Sequence, residues 1–107
     1  MSDPVASAFR TLQLEYLASL PARLEELRAD IAGFRAGDRG ATDSLKVHLH
    51  RLAGSGGSYG FVELGAIARE AERWLAGHSA GGETDELEAI IERLARAVAE
   101  TGKRAGG

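Results

Sequence analysis

The chain of 107 residues has no cysteine. That excludes a disulfide framework, a thiol nucleophile and a cysteine-ligated zinc site. Aromatic residues are few (one Trp, two Tyr, three Phe), so leucine and alanine must supply most of the apolar area. There is no basic surplus: 13 Lys and Arg stand against 16 Asp and Glu, a formal charge of −3. This argues against a nucleic-acid partner. No apolar run approaches the roughly 18–20 residues needed to cross a bilayer. The opening Met1-Ser2-Asp3-Pro4 has neither the basic nor the apolar region of a signal peptide. A cytoplasmic protein without a membrane segment is the expectation. Strand signals are also missing, with no run of alternating β-branched residues and no Asn-Gly or Asp-Gly turn.

What the chain does have is helical periodicity broken by glycine. Gly37–Gly40 and Gly77–Gly82 read as loops, and Gly102–Gly107 as a frayed tail. Val5, Phe9, Leu12 and Tyr16 share one face behind the start signal Asp3-Pro4. Leu20, Leu24, Leu27, Ile31 and Phe34 form the next stripe. Pro21 suits the first turn of that second helix, or else marks a kinked continuation. Leu45, Leu49, Leu52 and Gly56 align before a stop at Gly60, and Leu64, Ile67, Ala68, Ala71 and Leu75 align after it. Leu87, Ile90, Ile91, Leu94 and Val98 give the last stripe, with Thr84 placed to cap it. Trp74 is expected at a helix seam. Short connections imply antiparallel neighbours. The expected fold is all-α: an antiparallel four-helix bundle with an additional N-terminal helical segment. It forms one domain over 1–107, with its core at about 20–101 and a flexible tail at 102–107.

One segment breaks the pattern. The helix expected over 43–58 contains Gly54, Gly56 and Gly57. Each glycine inside a helix costs about 1 kcal/mol relative to alanine. Three of them forfeit a sizeable part of the roughly 5–15 kcal/mol that holds a domain together. On a wheel with Leu45 as zero, His50 lies at about 140°, toward solvent. Lys46, Ala53, Gly54 and Gly57 surround it. An exposed imidazole among small residues, one turn from a lysine, is open to approach by another protein.

The hairpin adds a second observation. With the turn at Tyr59-Gly60, the partner of residue 50 lies near residue 70, and Glu72 is about 3 Å further along the axis. A carboxylate there is placed to accept a hydrogen bond from one ring nitrogen of His50. That would fix the tautomer and leave the other nitrogen unprotonated and outward. An exposed helical histidine is ordinarily a neutral surface residue; the glycines and Glu72 set this one apart. His48 falls on the opposite flank of the core and reads as structural, and two histidines facing apart do not make a metal site. His78, in a glycine-rich loop, has no assigned role. Gly54-Ser55-Gly56-Gly57-Ser58 lacks the strand and the Gly-Lys-Ser/Thr of a phosphate loop.

The run His50-Arg51-Leu52-Ala53-Gly54-Ser55-Gly56-Gly57-Ser58-Tyr59-Gly60-Phe61 resembles the histidine-containing phosphotransfer (HPt) domains of two-component signalling. Their pattern is His, any residue, an apolar residue, usually Lys, Gly, small residues, then an apolar residue before a closing Gly. The Gly-Ser-Tyr-Gly-Phe stretch is similar to the phosphotransfer domain of chemotaxis histidine kinases, in which a glutamate 22 positions after the histidine bonds the ring. Here that position is Glu72. The resemblance is strongest over 43–75. It implies that His50 carries a phosphoryl group between a sensor or hybrid histidine kinase, or a receiver-domain aspartate, and another response-regulator receiver. The receiver would supply Mg²⁺, so the chain needs no cofactor of its own, and a monomer is the expected state. Arg51, Ala53, Gly54 and Gly57 would form the docking margin.

The usual lysine is replaced by Ala53, and Lys46 is the residue expected to neutralise phosphoryl charge instead. Two other functions fit parts of the pattern. One is a docking module that binds a receiver or kinase without transfer, which the Ala53 departure favours. The other is a bundle enzyme using His50 as general base and Glu72 to orient it; a convex helix face without a pocket argues against it.

Overall fold

The computed structural model describes residues 3–106. Asp3 accepts the Val5 N–H at 2.9 Å and caps α1, Pro4–Arg35, with Pro4 in its first turn. Asp38 caps α2, Arg39–Ser58, by accepting the Gly40 N–H at 2.8 Å. After the corner at Tyr59-Gly60-Phe61 comes α3, Val62–Ala76, and after the 77–84 loop comes α4, Asp85–Gly106. The helices pack in a ring in which α2 touches α1 and α3, and α4 touches α3 and α1. The all-α four-helix bundle expected from the periodicity is the fold.

The expected N-terminal segment is the first half of α1. Pro21 lies inside this single helix of 32 residues rather than at the start of a new one. Its missing N–H leaves the Leu17 carbonyl without an i+4 donor. The buried stripe Leu17, Leu20, Leu24 nevertheless runs straight past the ring, and the ring faces solvent. Packing thus offsets the lost hydrogen bond. At about 1.5 Å per residue, α1 is roughly 18 Å longer than α2. Beyond Gln13, whose side-chain amide donates to the Tyr59 carbonyl at 2.8 Å, α1 overhangs the hairpin. Val5, Phe9 and Leu12 therefore stay exposed, and burial begins at Tyr16.

The frayed tail expected at 102–107 is, through Gly106, the last turn of α4; Gly107 lies outside the described residues. Lys103 and Arg104 sit where the helix dipole favours cations. The Arg10 guanidinium donates to the Ala105 carbonyl, tying this end to α1.

Two clusters extend the stripes, one at Tyr16 and one at the seam expected for Trp74. Tyr16 stacks on Tyr59 (ring centroids 4.5 Å apart) and its hydroxyl bonds Ser55 Oγ at 2.8 Å. Trp74 fills the seam between α3 and the end of α1: Phe34 meets its edge, its indole N–H donates to Glu86, and His78 stacks on it at 3.9 Å. No helix among the described residues is long and apolar enough to cross a membrane.

Candidate functional site

The α2–α3 hairpin is closed by a Schellman turn. The Phe61 N–H donates to the Gly56 carbonyl (2.7 Å) and the Gly60 N–H to Gly57 (3.0 Å), with Gly60 at φ +82°. A side chain at 60 would be strained in that conformation, so glycine is the stop that this corner requires. Just inside the corner the two helices meet backbone to backbone. A Cβ built on Gly56 would lie 2.8 Å from the Gly65 nitrogen, and one on Gly65 would lie 2.9 Å from the Ala53 carbonyl oxygen. Two glycines facing one another bring α2 and α3 closer than any pair of side chains would allow.

That closeness positions the imidazole. Two turns back from Gly57, His50 Nδ1 lies 2.8 Å from Glu72 Oε2. The His50 side chain is 81% exposed and that of Glu72 29%. A carboxylate only accepts hydrogen bonds, so Nδ1–H is the donor. The neutral ring then presents an unprotonated Nε2 to solvent, held at a fixed angle. Gly54 and Gly57 are exposed, and a Cβ on either would meet nothing within 4 Å. Their glycines answer to no packing need in this chain, unlike Gly56.

Lys46 and Arg51 are exposed beside the ring. With Val47, Leu75 and Ala76 they line, around His50 and Glu72, a depression of about 460 Å³. The face is therefore not the plain convex surface expected from the sequence. Its apolar floor comes from α3 residues that pair with Lys46 and Val47 only once the hairpin register is known. The depression does not make an enclosed site, because the ring beside it stands almost wholly in water. Ala53 is placed differently from the expectation. It is 3% exposed and its carbonyl oxygen lies against Gly65 of α3, so it is not part of the docking margin. The close approach at Gly65 closes over the wheel position that would otherwise be a rim.

The other histidines are engaged elsewhere. His48 Nδ1 lies 3.0 Å from Asp30 Oδ2 and joins α2 to α1, with Ser44 donating to the same carboxylate. His78 Nδ1 lies 2.6 Å from the Trp74 carbonyl at the end of α3. Among the described residues no group of His, Cys, Asp and Glu could hold a metal ion.

No curated protein and no solved structure gives a significant match to the chain. A family model described as Hpt domain matches residues 12–102, which takes in the whole α2–α3 hairpin and most of α1 and α4. The chain belongs to the histidine-containing phosphotransfer family, whose domains work in two-component signalling.

Proposed function

We propose that this chain is a phosphorelay carrier and that His50 is its phospho-acceptor. The observation that carries this reading is the ring geometry: Nδ1–H is tied to Glu72 while Nε2 is bare and 81% of the side chain is open to a partner. In the forward step the Nε2 lone pair forms an N–P bond as the P–O bond of a receiver's aspartyl phosphate breaks. The aspartate leaves as a carboxylate with the bonding pair. The Nδ1 proton stays on the ring, and the Glu72 charge offsets the positive charge the ring gains. The reverse step passes the group to another receiver. Such transfer needs in-line positioning and charge neutralisation more than covalent machinery. The receiver brings Mg²⁺; this chain brings the imidazole, Lys46, and a docking margin of Arg51, Gly54 and Gly57. It has no nucleotide site in this reading and does not label itself from ATP.

The test is incubation with the phosphorylated receivers and kinases of the same genome. The expected product is an acid-labile, alkali-stable phosphate on this chain. Binding without label across all pairs would establish instead the docking module, the reading that the missing lysine at 53 favours. Glu72→Ala is expected to slow labelling roughly tenfold, since a freed ring spends most of its time misoriented. Stopped-flow or quench kinetics of transfer would show it, and unchanged rates would remove Glu72 from the site.

A further inference from the structure

A phosphoryl group on Nε2 carries nearly two negative charges at neutral pH. The residue that usually meets them in this family is absent, and Ala53 in its place is buried. The hairpin register shows what stands opposite the vacancy. At the corner Gly56 faces Gly65, and two turns away His50 faces Glu72. Lys46 and Ala76, four further still, line the same depression. Counting three residues towards the corner from His50 and from Glu72, Arg69 stands level with Ala53 but outside the buried contact between Ala53 and Gly65.

Arg69 is exposed. It sits three residues before Glu72, on the same surface of α3. It makes no ion pair or side-chain hydrogen bond among the described residues, whereas Arg28, Arg35 and Arg93 all have acidic partners. On the side of His50 towards the corner, Gly54 and Gly57 are exposed, with nothing within 4 Å of where a Cβ on either would be. The Arg69 guanidinium thus has a clear path over α2.

The geometry points to Arg69 as a phosphoryl-binding residue, supplied by α3 in place of the cation that α2 lacks. This rests on His50 being the phospho-acceptor. Lys46, one turn before His50 on α2, and Arg69, one turn beyond it across the groove, then bracket the phosphoryl group from its two ends. An arginine there can donate two parallel N–H bonds to phosphoryl oxygens.

Phosphoramidate tests this without a docking partner. Its P–N bond breaks, ammonia leaves, and the phosphoryl group passes to His50 Nε2. Parent, Arg69→Ala, Arg69→Lys and Lys46→Ala chains would be labelled, and the phosphohistidine followed by ³¹P NMR across pH. Arg69→Ala is expected to raise the midpoint of the phosphoryl group's last ionisation by about 0.5 pH unit, because removing a nearby cation disfavours the dianion. Labelling should slow about threefold, and Arg69→Lys should recover most of both effects. Thermal unfolding of all four chains checks that the bundle is intact. If His50 is labelled in parent and Arg69→Ala alike, with the same rate and midpoint, the Arg69 assignment is wrong while the carrier function stands. A midpoint that moves only in Lys46→Ala overturns it equally. If neither phosphoramidate nor any receiver labels His50 in the parent chain, both readings fall together.

Discussion

His50→Gln is expected to reduce phosphate labelling to background while leaving the bundle's stability within about 0.5 kcal/mol, the range of surface substitutions. The two halves of that result follow from one geometry. With 81% of its side chain in water, His50 contributes little apolar burial, and its hydrogen bond to Glu72 is one that a glutamine amide can replace. What glutamine cannot replace is the lone pair of a ring nitrogen, since an amide nitrogen is not nucleophilic. Label retained in His50→Gln would have to sit on another imidazole. The two candidates are poorly suited. His48 turns Nδ1 to Asp30 and has Glu26 3.6 Å from Nε2. His78 lies stacked on Trp74. Retained label would therefore overturn the site and not merely displace it.

Gly65→Ala is expected to destabilise the protein by about 1–2 kcal/mol. Alanine gains up to about 1 kcal/mol in helix propensity. Against that, the new Cβ would stand 2.9 Å from the Ala53 carbonyl oxygen and 3.2 Å from the Gly57 nitrogen. Both are main-chain atoms of a helix, so neither can swing aside, and overpacking of this kind costs about 1–3 kcal/mol or more. The relief available is for α3 to move off α2, which lengthens the His50–Glu72 contact as well. Gly54→Ala is the internal control. It makes the same chemical change in open space, so it should stabilise by up to about 1 kcal/mol. Urea unfolding of the two variants should give opposite signs, with thermal midpoints some 4–8 °C apart per kcal/mol. Equal stabilities would mean that the helices do not touch at Gly56 and Gly65.

Much of this arrangement can be read from the residues because two regular helices joined by a tight turn leave little freedom. The apolar stripes give the inward faces, the glycine stop gives the corner, and reflection through the corner brings residue 50 near residue 70, within about 3 Å along the axis of Glu72. In the structure it is Glu72 itself, two residues past the reflected position, that meets the ring at 2.8 Å. Where sequence reasoning fell short, a long-range contact overrode a local signal. Pro21 is a start signal by itself, but the leucine stripe on both sides of it keeps α1 in one piece. The closing glycines read as fraying until Arg10 and the cations of the last turn are placed beside them. Ala53 sits at the edge of its own helix's apolar arc. Only the glycine on the facing helix decides that it goes in. The depression beside His50 was invisible for the same reason, being half made of residues from the other helix.

Because a single corner sets the rotational phase of both α2 and α3, the site is sensitive to chain length at a point with no chemistry of its own. One residue added between Ser58 and Val62 would turn α3 by about 100°. Glu72 would swing away from the imidazole and Arg69 from the groove, with every residue of the site still in place. In this domain, spacing through the corner matters to phosphate chemistry as much as the identity of the groups it brings together.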